Sequence, residues 1–261
     1  MKYTLVTGAT GGIGYEIAKV FARNKHNLIL VARNQEKLEK IKIDFEKDYS
    51  ISVVVISMDL SNIDAAKDLY EKTTAEGYIV DNLVNNAGFG DWAGFLDSDW
   101  KRQYEMVQLN ITALMQMTYL YGNDMRKFGE GHILNLSSVA AFCAGPNMSI
   151  YYATKAYVLS FSEAVAEELR GTGVTVTALC PGPTATGFEK AAEMKNSKMF
   201  TFFKPASAEA VARYGYNKMM KGKVVAYYGM PTNIMNIGSR LSPRSITRKF
   251  AKAINGIPER K

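Results

Sequence analysis

Tyr151 and Lys155, in Tyr151-Tyr152-Ala153-Thr154-Lys155, stand four residues apart at the opening of a long helical pattern, so they share one helix face. Tyr152 has no such partner, because Ala156 follows it at that interval. Upstream, Asn135-Leu136-Ser137-Ser138 ends a short apolar run that reads as a strand. A hydroxyl, a phenol and an ammonium brought together suit proton transfer at a carbonyl. A carbonyl that receives hydride needs a proton at its developing alkoxide, and the reverse reaction needs a base for the hydroxyl. Free tyrosine titrates at about 10, too high for a base near neutrality, and a neighbouring cation lowers that value by stabilising the phenolate. Spacing shows only that these groups could meet. A tyrosine four residues before a lysine is common by chance, and paired serines after a strand are more often loop residues.

A second group of residues suits a phosphate. The first predicted strand runs into Thr7-Gly8-Ala9-Thr10-Gly11-Gly12-Ile13-Gly14 and then a helix. Glycines let the backbone turn tightly beside a pyrophosphate, and the helix amino terminus offers N–H donors and a positive dipole end. The spacing G-x-x-x-G-x-G differs from the common G-x-G-x-x-G fingerprint. At the end of the second strand, Ala32-Arg33-Asn34 lacks the acidic residue that binds ribose hydroxyls in NAD enzymes. Arg33 suits a 2′-phosphate instead, so NADP(H) is expected in preference to NAD(H). The plainer alternative is a surface arginine paired with Glu36.

Asn85-Asn86-Ala87-Gly88 follows the fourth strand, and 13 residues separate Ser138 from Tyr151. The glycine turn, these spacings and the order of the motifs resemble the short-chain dehydrogenase/reductase family over about two-thirds of the chain. The resemblance implies roles. Tyr151 would transfer the proton, and Ser138 would polarise the substrate oxygen. Lys155 would hold the nicotinamide ribose, and Asn110, inside the helical run Trp100–Phe128, would organise a proton-carrying water. Cofactor contacts would come from Gly8, Thr10, Gly11, Gly12, Ile13, Gly14 and Arg33. Asp59 and Leu60 would meet the adenine, Asn86, Ala87 and Gly88 the middle of the cofactor, and Tyr151, Lys155, Pro181, Gly182, Thr184 and Thr186 the nicotinamide half. Two departures stand out: Gly11 occupies the place of a second basic residue, and Pro183 and Thr184 replace larger apolar residues.

The elements that must position these groups alternate along the chain. Strands are expected at Lys2–Thr7, Leu28–Ala32, Ser52–Ser57, Asn82–Asn85, His132–Leu136, Val174–Leu179 and Val224–Tyr228. Between them, Ile13, Ile17, Val20 and Phe21 share one helix face, as do Leu38, Ile41 and Phe45. This pattern predicts an α/β, Rossmann-like, doubly wound parallel sheet with helices on both faces and ligands at the strand carboxyl ends. One dinucleotide-binding domain over 1–261 is the simplest division, with a substrate-binding lid at about 186–206 and a basic tail at about 239–261.

The lid contributes Phe188, Met194, Met199, Phe200, Phe202 and Phe203, and Phe89, Trp92, Phe95, Phe142 and Met148 stand near other strand ends. An apolar or bulky ketone or alcohol, steroidal or fatty-acyl, is therefore expected, although the same residues would serve a core or subunit interface. No apolar run reaches the roughly 18–20 residues of a membrane helix, no signal peptide is legible, and Cys143 and Cys180 show no metal-ligand spacing. These features suggest a cytoplasmic protein without a metal. The net charge of +7 concentrates after Phe203. A solvated face is the plain reading of that charge; anionic lipid, nucleic acid or an acidic carrier would be the functional ones, and no nucleic-acid motif accompanies it. The family resemblance implies a homodimer or homotetramer. A dinucleotide-sensing protein without catalysis is the rival function, and sugar-nucleotide epimerisation on a related fold is disfavoured by the short chain and the glycine spacing.

Overall fold

Runs that are apolar at every position fold as strands here because both faces of the sheet are covered. Leu28 and Leu30 of one strand pack into one core, and Ile29 and Val31 of the same strand pack into the other. The computed structural model describes residues 1–188, 192 and 205–256. In chain order the elements begin with β1 (Lys2–Thr7), α1 (Gly12–Arg23), β2 (Asn27–Ala32), α2 (Gln35–Tyr49), β3 (Val53–Ser57), α3 (Ala65–Ala75) and β4 (Ile79–Asn85). Then follow α4 (Trp100–Val107), a π-helical turn (Gln108–Ala113), α5 (Leu114–Phe128), β5 (Gly131–Leu136), α6 (Ser149–Glu168) and β6 (Val174–Cys180). The described chain ends with the short pair β7 (Thr184–Ala185) and β8 (Ala206–Ser207), α7 (Ala208–Met219), β9 (Val225–Tyr227), α8 (Met230–Leu241) and α9 (Arg244–Asn255).

The main sheet has the order β3-β2-β1-β4-β5-β6-β9, all parallel. Its strand order reverses between β1 and β4, and a crevice for a ligand opens at the carboxyl ends of strands on either side of such a reversal. Phe21, Leu38 and Phe45 cover one face with Val211 and Met219 from α7, while Leu69, Met117, Tyr121 and Met125 cover the other. This is the doubly wound architecture that the alternation predicts.

Three features depart from the sequence pattern. The run Trp100–Phe128 is not one α-helix, since a π-helical turn interrupts it. The pairing of Thr184–Ala185 with Ala206–Ser207 carries no strand-like run. The segment expected as a basic tail starts inside α8, and α9 buries Ala251, Ile254 and Asn255 against the body. Met194, Met199, Phe200, Phe202 and Phe203 of the expected lid lie outside the described residues. Among the described residues no helix is long and apolar enough to cross a membrane.

Candidate active site

The glycine turn is built by close approach. Gly8 has φ +66°, and a Cβ there would stand 2.8 Å from Asn86 Nδ2. A Cβ on Gly14 would fall 2.3 Å from the same nitrogen and 2.4 Å from Gly8 O, so only glycine lets α1 begin so near β1. Asn86 fixes the arrangement by donating to Thr7 O at 2.9 Å, and Thr7 Oγ1 accepts from the N–H groups of Asn86 and Ala87 at 3.0 and 2.9 Å. Gly11 differs. No atom lies within 4 Å of where its Cβ would be, and no side chain caps the helix it precedes. The first turn of α1, with no side-chain cap, lines a groove, which suits an anion.

A groove of about 460 Å³ runs from this turn to the carboxyl end of β5. Gly8, Thr10, Gly11, Gly12 and Ile13 line it, with Asn86, Ala87, Gly88, Ser138, Tyr151, Lys155, Pro181, Gly182, Thr184 and Thr186. The segment after β6 closes it from above, bringing Thr186 to 3.1 Å from a Cβ placed on Gly12. Gly14 packs beneath the turn. Arg33, Asp59 and Leu60 are not among the lining residues. Arg33 is exposed and pairs with Asp59 at 3.7 Å, instead of with Glu36. Asp59 also accepts from Ser61 N and Oγ, at 3.0 and 2.7 Å. Leu60 is buried in the core below.

The two adjacent serines divide their work. Ser137 Oγ donates to Lys155 O at 2.8 Å and so anchors α6 to the end of β5. Ser138 and Tyr151 both line the groove, and Ser138 Oγ accepts from Ala140 N at 3.1 Å. The adjacent tyrosines divide likewise. Tyr151 lines the groove, while Tyr152 donates to Asn255 Oδ1 at 2.9 Å, away from it.

Lys155 Nζ lies 5.8 Å from the Tyr151 ring centre and donates to Leu136 O at 2.7 Å. Burial pushes the Tyr151 phenol up to about 12, opposed by the Ser138 hydroxyl. Burial also pulls the Lys155 ammonium down to about 8. In the protein alone burial is the larger influence on the phenol; the lowering expected from Lys155 acts together with the oxidised nicotinamide.

Asn110 sits in the π-helical turn, 1% exposed. Its amide donates to Phe89 O at 3.0 Å and Thr154 Oγ1 at 3.1 Å, and its oxygen accepts from Phe89 N at 3.2 Å. The side chain thus clamps the chain after β4 to α6. Gly88 passes between Asn110 and Lys155, with room for no side chain.

Some contributors escape sequence reasoning. Lys37 lines the groove because Asn34 caps α2 and accepts from Lys37 N at 2.8 Å, directing the first turn of that helix to the pocket. The spacing of Arg33 and Lys37 around a capping asparagine was the available signal. Asp91, with a fully buried carboxylate, accepts from Arg102 Nε at 2.9 Å and Gln103 Nε2 at 2.7 Å. Asn255 holds three partners: its oxygen accepts from Tyr152, its amide donates to Pro146 O, and its carbonyl accepts from Trp92 Nε1 at 2.9 Å. No local signal marks either residue. Among the described residues, no cluster of three or more His, Cys, Asp or Glu is placed to hold a metal.

The sequence pattern of the short-chain dehydrogenases matches residues 2–197. This chain belongs to the short-chain dehydrogenase/reductase family. It is 33% identical over 200 residues to the very-long-chain 3-oxoacyl-CoA reductase-A of Danio rerio, covering 72% of this chain and 60% of that one. It is 32% identical over 202 residues to 17-beta-hydroxysteroid dehydrogenase type 3 of Mus musculus, covering 76% and 65%. The chain thus spans less than two thirds of the length of these relatives. Its structure superposes with TM-score 0.82, at 26% identity over 92% of this chain and 94% of the other, on a short-chain dehydrogenase from Sphingobium yanoikuyae in complex with NADPH.

Proposed function

We propose that the protein interconverts a ketone and a secondary alcohol with NADP(H) as hydride carrier, acting on an apolar or bulky substrate. The observation that carries this reading is the convergence of Ser138, Tyr151 and Lys155 on one groove that begins at an uncapped helix terminus. The glycine cradle, the open helix end and the long groove fit a nicotinamide dinucleotide, which when bound supplies or accepts the hydride.

The chain's own residues handle the oxygen and the proton. Ser138 Oγ and the Tyr151 hydroxyl, which line the same groove, both turn to the substrate oxygen. In reduction, Tyr151 gives its proton to the oxygen as negative charge develops there, and Lys155 stabilises the phenolate left behind. In oxidation the phenolate takes the proton back. A phenol held near 12 carries its proton at neutral pH, the form that reduction requires.

Two cations support NADP(H). Lys37 supplies from α2 the second positive charge that Gly11 lacks, and Arg33 lies at the end of β2 beside it. The NADPH-bound relative is consistent with this choice. For the substrate, Phe188 closes one side of the groove with its ring 5.2 Å from that of Tyr151. A small apolar cavity of about 40 Å³ adjoins the groove at Val139, Gly182 and Pro183 and reaches Met235 and Phe250. The relatives named for very-long-chain acyl and steroid substrates favour the same class. A homo-oligomer through α4 and α5 belongs to this reading, since Trp100 and Tyr119 are 71% and 69% exposed there. A monomer in sedimentation velocity would remove that part.

A panel of steroid, acyl thioester, sugar and simple ketones, followed by nicotinamide absorbance with each cofactor, tests the proposal. Turnover of bulky ketones with NADPH is expected. The variant pair Arg33→Asp and Lys37→Glu should each weaken NADPH by about 10-fold or more with little change for NADH. An unchanged cofactor ratio would overturn the phosphate assignment, and no turnover across the panel would favour dinucleotide sensing.

A further inference from the structure

Among the described residues, one side of α8 has no cover. Met230, Ile234, Ile237 and Leu241 are 75%, 63%, 58% and 82% exposed, and their spacing of four, three and four residues puts them on one helix face. The other side of the same helix turns Thr232 and Met235 into the apolar cavity beside Tyr152. Cations follow the stripe directly. Arg240, Arg244, Arg248, Lys249 and Lys252 are all exposed, and no Asp or Glu occurs from Ala210 through Gly256.

We propose that the α8–α9 segment docks the protein on an anionic phospholipid surface. An exposed apolar stripe flanked by unopposed cations matches a headgroup layer over acyl chains, and short helices of this composition lie in the interface instead of spanning it. Charge decides between lipid and a second copy. An isologous contact across the stripe would bring the cations of both segments together, with no carboxylate from this region to neutralise them. The proposal does not depend on the reaction assigned to the groove.

Co-sedimentation of the whole chain with vesicles tests it. Vesicles of phosphatidylcholine with about one third phosphatidylserine should pellet the protein, pure phosphatidylcholine far less, and added salt should release it. The variant Ile234→Ser/Ile237→Ser should lose pelleting while melting at the wild-type temperature, because both side chains are exposed. Arg244→Gln/Arg248→Gln should weaken binding about five-fold for each charge removed. Failure of the wild-type protein to pellet with anionic vesicles, or equal pelleting of the serine variant, would overturn the proposal. So would a dimer that the serine variant dissolves without any vesicle binding, which would assign the stripe to a second copy.

Discussion

The two ends of the groove are held by different means. At the glycine turn, the Asn86 and Thr7 side chains tie β4 to β1, and Gly8 and Gly14 lie too close to Asn86 and to each other to carry a Cβ. Beyond the opposite end, the small apolar cavity lined by Tyr152 is held by side chains, with Asn255 of α9 gathering Trp92, Tyr152 and Pro146. The first region is rigid because main-chain geometry admits only one residue type. The second depends on one amide, which other residues could replace at moderate cost. A cofactor shared by many reactions needs the first kind of site, and a substrate that varies between relatives suits the second.

Variants can break that contrast in order of effect. Tyr151→Phe removes the proton at the seam between the regions and should lower kcat about 10²–10⁴-fold, while NADPH titrated by fluorescence still binds as before. Retained turnover would take Tyr151 out of the mechanism. Gly14→Ala forces a methyl into backbone and should cost about 1–3 kcal/mol, seen as a melting temperature lowered by several degrees, with weaker NADPH binding. Gly11→Ala meets open space and should melt within about one degree of wild type. Equal effects at the two glycines would dissolve the argument from close packing.

Asn255→Ala should raise KM for the ketone and leave NADPH affinity unchanged, because it unpairs Tyr152 and Pro146 at a cost of about 1–3 kcal/mol. A matching loss of cofactor affinity would show that the regions are not separable. The mildest probe is pH. Lys155 is cationic below about 8, so kcat/KM for reduction should fall above that pH. Unfolded lysine keeps its proton to about 10.5, so over the interval between those values the unfolded chain binds more protons and this group makes stability rise with pH. The difference in stability between wild type and Lys155→Met should follow that rise, and a flat difference would contradict the buried ammonium.

Much of this was legible in the chain because it is written locally. Most strands of the main sheet are apolar runs, the turn is a glycine pattern, and Tyr151 and Lys155 meet through helix geometry alone. The motif position of Leu60 says nothing of which way its side chain points, and that side chain is buried in the core. The π-helical turn at Asn110 is a change of backbone register that apolar periodicity does not report. Lys37 looks like any surface lysine until Asn34 fixes the start of α2. Asn255 was invisible for a different reason: its partners are 103, 109 and 163 residues away.

That last separation bears on the order in which the protein forms. Contacts between distant chain segments must wait for the intervening parts to fold, since closing a long loop is rewarded only late. The glycine turn closes when Asn86 reaches Thr7, 79 residues before it, whereas Asn255 must reach partners 103, 109 and 163 residues away. The dinucleotide cradle is therefore expected to form before the substrate wall, which waits for α9 to dock and Asn255 to reach Trp92.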